Sequence, residues 1–146
     1  GWSYVLPTEA QWEYACRAGT TTAYSWGNSI SSSNANYAFD GLGTGIQQTS
    51  DVGSYSPNAW GFYDMHGNVY EWVADWYGSY DSNAVTDPTG PASGSYRVDR
   101  GGSWFLDGAY LRSAKRYIDP PQLPLRQHRL PCWFPKSPVR EPRRWR

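Results

Sequence analysis

Cysteine and histidine are scarce in this sequence, with two residues of each among 146. Cys16 and Cys132 form neither a CxxC motif nor a metal-ligand spacing, which argues against a zinc ribbon or a dithiol redox centre. We interpret Cys16 as a buried thiol within a helix, and a disulfide to Cys132 is an open alternative. No neighbouring residue completes a Ser-His-Asp triad with His66, so we predict a packed turn histidine.

Long apolar runs are also absent. No stretch of about 18 apolar residues occurs, which excludes a hydrophobic transmembrane helix in this sequence. No secretory leader pattern is present, and because the chain does not begin with Met, the sequence leaves its compartment open between cytoplasm and export. An excess of either charge is missing too, since 13 basic residues balance 13 acidic ones.

The balanced charge hides an uneven distribution. Residues 120–146 hold seven Lys/Arg, one Glu, seven of the eleven prolines and no glycine. Residues 1–119 hold six basic residues, twelve acidic residues and all fifteen glycines. We therefore divide the chain into a body, residues 1–119, and an irregular Pro/Arg-rich tail, residues 120–146. A nucleic-acid-binding arm is an alternative interpretation of the tail that we disfavour.

Aromatic residues are abundant, with nine Trp and twelve Tyr, and 17% of the chain is aromatic. Together with the glycines they predict an irregular, turn-rich fold whose core contains large rings. One helix is predicted over residues 6–19, with Thr8 as N-cap, Gln11 completing a capping box and Gly19 ending the helix. Strands are predicted at residues 68–75, 96–100 and 111–116, with a short one within residues 49–55.

Residues 61–72 (GFYDMHGNVYEW) combine aromatic rings, two acids and two glycines in a turn and the start of a strand. Asp64, Asn68 and Glu71 supply hard oxygen ligands, and the bent backbone can add the carbonyls of Gly67 and Val69. Such a set is typical of a calcium site. A pair of acid/base carboxylates and a plain solvated loop are the alternatives.

Several blocks resemble the formylglycine-generating enzyme (sulfatase-modifying factor) family, in the family's order and spacing. The blocks are residues 6–15 (its LPTEAEWEYA helix), 57–72 (PNxxGLYDMHGNVWEW), 87–104 (DPTGP…YRVxRGGSW) and 111–114 (LRSAxR). The resemblance covers about residues 2–119. It implies an α+β, C-type-lectin-like fold with little regular secondary structure, of which this chain would be a C-terminal part.

The family's oxidases carry two redox cysteines after the RGGSW-type motif, where they bind copper and oxidise a substrate cysteine with O2. These positions fall on Leu106 and Leu111 here. Leucine has no thiolate for metal binding or disulfide exchange, so we expect no copper site and no catalytic residues. Ergothioneine-synthase relatives bind iron through histidines in another domain, and two histidines cannot complete that site.

The resemblance also assigns metal ligands. The family's calcium site maps onto four residues: Asp64, Gly67, Val69 and Glu71. Gly67 and Val69 would act through their carbonyl oxygens. A second family site maps near Asn36 and Tyr37, although the following glycine-rich loop departs from the family pattern. Bound calcium would order the irregular backbone and add its binding energy to folding.

Another resemblance concerns the codons after the RGGSW-type motif. Residues 105–107, 110 and 117–119 can all be encoded by codons that differ from AAC only at its adenines, as in variable regions of diversity-generating retroelement proteins. Those proteins display such residues on a lectin-like fold to bind diverse ligands. The predicted ligand-binding residues are Trp104, Phe105, Leu106, Asp107, Tyr110, Tyr117 and Asp119. The partner would be a protein or a small molecule.

The family ends with a strand bearing the sequence NIGFR, which is missing here. The residues at 127–131 (QHRLP) are compatible with codons that read NIGFR after a one-base shift. Our hypothesis is that the chain from about Pro120 is a frameshift product, and the gene's DNA sequence tests it.

The sequence therefore predicts a non-catalytic, calcium-stabilised binding domain. The alternatives are an oxidoreductase that converts a substrate cysteine to formylglycine, a metal-dependent relative whose site lies partly outside this chain, and a non-functional gene product. The arginines at positions 97, 100, 112 and 116 are expected to pair with the carboxylates of the body, with anion binding as the alternative.

Overall fold

A computed structural model of the chain describes residues 5–39 and 45–121, and the backbone of residues 128–129. Within them lie helix α1 (Glu9–Arg17), strand β1 (Tyr70–Trp76), strand β2 (Arg97–Arg100), a 3₁₀ helix (Gly108–Leu111), strand β3 (Tyr117–Asp119) and strand β4 (His128–Arg129). The predicted α+β fold with little regular secondary structure is confirmed. Cys132 and most of residues 127–131 lie outside the described residues, so the hypotheses on them stay predictions.

The four strands form one sheet in the order β3-β2-β1-β4. β1 and β2 are antiparallel, with Glu71 opposite Arg100 and Trp72 opposite Asp99. β3 continues the sheet antiparallel to β2. β4 pairs parallel with the start of β1, opposite Tyr70 and Glu71. The strand that carries Glu71, β1, is therefore an inner strand of the sheet, with β2 on one side and β4 on the other.

Helix α1 forms as its terminal signals predict. Thr8 has extended backbone, its Oγ1 accepts from the Gln11 N–H at 3.2 Å, and its own N–H donates to Gln11 Oε1 at 3.0 Å. At the other end Ala18 takes the left-handed conformation with φ of 47°, and Gly19 follows with φ of 88°. The helix presents Trp12, Ala15 and Cys16 to the sheet.

The strand predictions have mixed outcomes. Those at residues 68–75 and 96–100 are confirmed as β1 and β2, each starting slightly later than predicted. The one at 111–116 is wrong: Leu111 ends the 3₁₀ helix, and the Ser113 N–H donates to the Ala23 carbonyl at 2.9 Å, so this backbone pairs with a loop. The one within 49–55 is wrong because the chain turns there, with Gly53 at φ of 72°.

Two apolar clusters hold the described residues together. The first lies between α1 and the sheet and consists of Trp12, Ala15, Cys16, Met65, Val73 and Val98. The second ties the loops together and consists of Tyr24, Ala35, Tyr37 and Leu111, with Leu106 packed against it. We call the second one the loop cluster. The predicted use of large rings in the core holds for Trp12, Tyr24 and Tyr37, which are buried.

None of the helices in the described part of the chain has the length and apolar character needed to cross a membrane.

Candidate functional site

The two predicted groups of metal ligands meet at the turn of residues 67–68, and we call this turn with its contacts to Asn36 the junction. Gly67 and Asn68 both have positive φ, 79° and 65°, and Asp64 has φ of 56°. The Gly67 N–H donates to the Gly101 carbonyl at 2.8 Å, and the Asn68 N–H donates to the Asn36 carbonyl at 2.9 Å. The two sets of predicted metal ligands, one at 64–71 and one at 36–37, are thereby brought into contact.

Side-chain amides order this junction. Asn68 Oδ1 accepts from the Ser50 N–H at 2.9 Å, and its Nδ2 donates to the Ser50 carbonyl at 3.1 Å. Asn36 Nδ2 donates to the Gln48 carbonyl at 2.8 Å. Asn36 Oδ1 is buried and accepts no hydrogen bond from any residue that the structure describes. A buried acceptor without a donor is costly, and a bound cation would satisfy it.

The two predicted carboxylate ligands have separate protein partners. Glu71 is 1% exposed, and its Oε2 accepts from the Trp12 indole N–H at 2.7 Å. Asp64 Oδ2 accepts from the Gly53 N–H at 2.8 Å. The described residues contain no group of three or more His, Cys, Asp or Glu side chains able to hold a metal. A cation here would depend on carbonyl and amide oxygens around one or two carboxylates, a donor set that fits calcium.

Tyr37, also predicted near a metal, is buried in the loop cluster. Burial, with a smaller contribution from Asp107, raises the pKa of its phenol. Its ring therefore contributes to packing. Val69 is buried directly before β1.

A buried pair of Cys16 and His66 lies beside the junction, with Cys16 Sγ 3.6 Å from His66 Nε2. Nε2 accepts from the Ser25 N–H at 3.2 Å, so Nδ1 carries the proton and donates to the Leu111 carbonyl at 2.7 Å. Burial raises the pKa of the Cys16 thiol to about 12. The thiol thus stays protonated and unreactive, which agrees with the predicted structural roles of both residues.

Sequence reasoning missed this pair. Cys16 lies in α1 and His66 in a loop 50 positions further on. Neither motif spacing nor periodicity connects two residues so far apart.

We expect His66 to make the fold sensitive to mild acid. Burial lowers the pKa of His66 from 6.5 to about 4. Because the folded state prefers the neutral ring, this stabilisation is full above pH 6.5 and is lost as the pH falls towards 4. Between about pH 7.5 and about pH 5 the free energy of unfolding should drop by about 2 kcal/mol. Urea denaturation at both pH values measures this drop in the free energy of unfolding.

One variant separates His66 from other titrating groups. His66→Gln should flatten the pH dependence of the free energy of unfolding, whatever its effect on stability itself. A pH-independent free energy of unfolding in the unsubstituted chain would contradict the prediction.

The predicted ligand-binding residues lie on and below one surface. Phe105 and Tyr110 are 38% and 47% exposed, while Trp104 and Tyr117 are partly buried. Buried Tyr70 supports them from below, with ring centroids 6.2 Å from Phe105 and 4.9 Å from Tyr117. We call Trp104, Phe105, Tyr110 and Tyr117 the aromatic surface. The Tyr117 hydroxyl donates to the Tyr110 carbonyl at 2.9 Å, which links its two ends.

The other three predicted binding residues also have structural contacts. Leu106 packs against the loop cluster, and its carbonyl accepts from the Ala38 N–H at 2.9 Å. Asp107 is exposed and caps the 3₁₀ helix, with Oδ1 accepting from the Ala109 N–H at 2.8 Å. Asp119 ends β3, opposite Arg97 of β2.

The arginines divide into two groups. Arg100 forms ion pairs with Glu9 and Glu13, and Arg116 binds both carboxylate oxygens of Glu9 at 2.7 and 2.8 Å. For Arg97 and Arg112 the predicted ion pairs are wrong within the described residues. Arg97 stacks over the Trp76 ring at 3.6 Å, and Arg112 Nε donates to the Ala109 carbonyl at 2.9 Å.

Comparison with known proteins shows the family to which the sequence belongs. The family model described as sulfatase-modifying factor enzyme 1-like domain matches residues 2–127. The formylglycine-generating enzyme of Mus musculus is 39% identical over 116 residues, which cover 72% of this chain and 31% of the enzyme. The serine/threonine-protein kinase pkn1 of Chlamydia pneumoniae is 44% identical over 122 residues, which cover 80% of this chain and 18% of the kinase.

A solved structure gives the same result at the level of the fold. Treponema denticola variable protein 1 superposes with a TM-score of 0.76 at 35% identity, covering 86% of this chain and 45% of that protein. The chain spans less than a third of the length of the two curated relatives and less than half of the solved structure. The sequence blocks, the fold and these matches agree, and the chain belongs to the family of sulfatase-modifying factor enzyme 1-like domains, which includes the formylglycine-generating enzymes.

Proposed function

We propose that this domain is a non-catalytic, calcium-stabilised binding module that presents the aromatic surface to a protein or small-molecule ligand. The observation that carries the proposal is the pair Leu106 and Leu111. Leu111 is fully buried in the loop cluster, and Leu106 packs against the same cluster. The positions of the family's redox cysteines thus hold aliphatic side chains with no thiolate to offer copper or a disulfide partner.

The thiol within the described residues does not replace the missing pair. Cys16, on the inner face of α1, is fully buried, and burial raises its pKa to about 12. An oxidase site needs a thiolate that a substrate can reach, and Cys16 meets neither condition.

The runner-up is a sulfatase-modifying oxidase, favoured by the 39% identity to the mouse formylglycine-generating enzyme. The two functions are distinguished by measuring oxygen consumption with an oxygen electrode. The reaction contains this chain, a cysteine-containing sulfatase peptide, copper and a thiol reductant. We expect no oxygen consumption above that of the peptide and copper without protein. Conversion of the peptide cysteine to formylglycine by this chain would overturn the proposal. A copper-loaded formylglycine-generating enzyme is the positive control.

The arrangement of exposed rings supports the binding role. Large rings that are already ordered bury much area at little entropic cost when a ligand binds. The rings of Trp104 and Phe105 pack edge to face, with their centroids 5.5 Å apart. Tyr70 supports Phe105 and Tyr117 from below. The similarity to a protein named variable protein 1 agrees with a surface whose residues differ between copies of the gene.

The proposed origin of this surface is a diversity-generating retroelement. It requires a second, adenine-rich copy of the segment that encodes residues 105–119 near the gene. Sequencing the gene with its flanks tests this, and it reads the frame from Pro120 onwards at the same time. Flanks without such a copy would remove the retroelement part and leave the binding role to be tested separately.

Calcium is proposed as the ion that stabilises the junction around residues 67–68. Three features support it: the buried Glu71 carboxylate, Asn36 Oδ1, which has no partner among the described residues, and the consecutive positive φ angles, which let neighbouring carbonyls turn to one side. Bound calcium would neutralise buried negative charge and hold irregular backbone. Its role is therefore structural.

We expect calcium to raise the melting temperature of the chain. At a hundredfold excess over its Kd, a ligand that binds only the folded state stabilises by about 2.7 kcal/mol, which corresponds to a shift on the order of 10 °C. Glu71→Gln keeps an oxygen acceptor for the Trp12 indole and removes the charge, so it should abolish most of the shift. Scanning calorimetry with calcium and with a chelator gives the comparison.

Asp81→Asn is the matched control, because Asp81 is an exposed acid bonded to Asn83. Its calcium shift should equal that of the unsubstituted chain. An unchanged shift in Glu71→Gln would remove Glu71 as a ligand. Equal melting temperatures with calcium and chelator in the unsubstituted chain would remove calcium from the proposal.

A further inference from the structure

A groove of about 330 Å³ opens between the end of α1 and the turn that follows the 3₁₀ helix. Its polar lining consists of Arg17, Thr21, Thr22, Arg112 and Lys115, and two alanines complete it. The Ser113 N–H donates to the Ala23 carbonyl at 2.9 Å, so a backbone hydrogen bond joins the two walls. The groove is thus a built feature of the fold.

The charge of the lining is opposite to that of the body around it. Residues 1–119 contain six basic and twelve acidic residues. Three of the six basic residues line this groove, and none of the eleven acidic residues that the structure describes in the body does. The other three are used elsewhere: Arg100 and Arg116 bind Glu9, and Arg97 covers Trp76. A local concentration of positive charge in an acidic body attracts anions into the groove.

Arg17 is the anchored member of the lining. It forms an ion pair with Glu13 at 2.8 Å, and its NH1 donates to the Thr22 carbonyl at 3.2 Å. These contacts hold its side chain in place and balance much of its charge. Arg17 therefore shapes one end of the groove, and the uncompensated charge comes from the opposite wall.

Arg112 and Lys115 supply that charge. Arg112 Nε donates to the Ala109 carbonyl at 2.9 Å, and no described residue accepts from the two terminal nitrogens of its guanidinium. Lys115 Nζ lies 5.4 Å from the Tyr110 ring and 5.5 Å from the Tyr117 ring. Among the described residues neither side chain forms an ion pair with a carboxylate. The groove is thus lined by two cations whose side chains are held by neighbouring groups.

We propose that this groove binds a tetrahedral oxyanion, carried as a sulfate or phosphate monoester on a small ligand. A planar guanidinium donates two parallel hydrogen bonds to such an oxyanion, an ammonium adds a point charge, and Thr21 adds a hydroxyl. The volume admits the anion together with part of the group that bears it. Lys115 also contacts the aromatic surface, so the bound ester would extend towards Tyr110 and Tyr117.

This site does not depend on calcium, although its ligand would reach Tyr110 and Tyr117 of the aromatic surface. It uses neither the junction at residues 67–68 nor Trp104 and Phe105. A failure of the calcium or retroelement experiments would leave it intact, and its own failure would leave them intact.

The test is isothermal titration calorimetry of the full chain with four probes at constant ionic strength set by sodium chloride: inorganic phosphate, inorganic sulfate, phenyl phosphate and glucose 6-sulfate. We expect saturable binding of at least one oxyanion. The double variant Arg112→Gln with Lys115→Gln should bind it at least tenfold more weakly, because each replacement removes a charge-assisted contact. The better of the two esters identifies the source of the anion.

Arg97→Gln is the matched control, since it removes one cation that lies outside the groove. Its affinity should equal that of the unsubstituted chain. Heats that do not saturate, and that equal those of added sodium chloride, would overturn the proposal. Equal weakening by Arg97→Gln, or no weakening in the double variant, would overturn it as well. Both groove residues lie at the surface, so circular dichroism should show that the double variant remains folded.

Discussion

Replacing Arg100 with methionine is expected to lower the free energy of unfolding by about 3–5 kcal/mol, the cost of leaving a buried charge cluster without its central cation. Arg100 is 0% exposed. It pairs with Glu13 and with Glu9, and it donates to the carbonyls of Ser113 at 2.7 Å and Lys115 at 2.6 Å. Methionine fills most of the volume, but it leaves these acceptors without a donor.

The reason for so large an effect is burial. An exposed ion pair contributes about 1 kcal/mol or less, because water screens it and already solvates both charges. Glu9 is buried and retains Arg116, while Glu13 is partly exposed and regains water. The loss should therefore come mostly from Glu9 and from the carbonyls of Ser113 and Lys115.

Urea denaturation of Arg100→Met beside Arg97→Met measures the effect. Arg97 lies in the same strand, and its guanidinium covers the Trp76 ring without an ion pair to a described carboxylate. Its replacement should cost about 1 kcal/mol or less. A double-mutant cycle with Glu13→Gln then isolates the Arg100–Glu13 coupling. Equal losses in the two methionine variants would contradict the role assigned to the buried cluster.

Substituting Gly67 with alanine is expected to destabilise the fold by about 3 kcal/mol or more, the sum of backbone strain and a steric clash. Gly67 has φ of 79°, where an L-residue pays about 1–2 kcal/mol. A Cβ there would overlap the carbonyl oxygen of Asn36 and lie 2.8 Å from Leu111 Cδ2. The carbonyl already accepts from Asn68, so it cannot move without breaking that bond.

Gly61→Ala separates the two contributions. Gly61 has nearly the same φ, 85°, but a Cβ there meets nothing within 4 Å. Its replacement should cost only the strain, about 1–2 kcal/mol. The difference between the two variants, measured by thermal or urea unfolding, is the clash energy at the Asn36 carbonyl. A Gly67→Ala variant as stable as Gly61→Ala would mean that the junction can open without cost.

If Gly67→Ala also lowers calcium affinity, the same junction holds the ion. The variant moves Asn36 relative to the turn at residues 67–68, and both are proposed to supply calcium ligands. Gly61→Ala should leave the calcium shift in melting temperature unchanged. This comparison tests the site without removing any charged residue.

Local signals were sufficient for several parts of the fold. The ends of α1 depend on Thr8, Gln11 and Gly19, all within the helix or next to it, so the sequence predicted them well. β1 and β2 follow from alternation and turn residues in the same way. The segment at residues 111–116 has strand-like residues too, yet Leu111 packs into the loop cluster and its backbone bonds to a distant loop. No local pattern reports such a contact.

The family, the α+β class, the caps of the helix and the replacement of both redox cysteines by Leu106 and Leu111 can be read from neighbouring residues or from the order of the sequence blocks. The meeting of distant side chains cannot be read in this way: it takes the folded chain to bring Cys16 to His66, Arg100 to Glu9 and Glu13, and Arg112 and Lys115 opposite Arg17. Irregular loops have no sequence period, because their paths are set by packing and by backbone hydrogen bonds between remote segments.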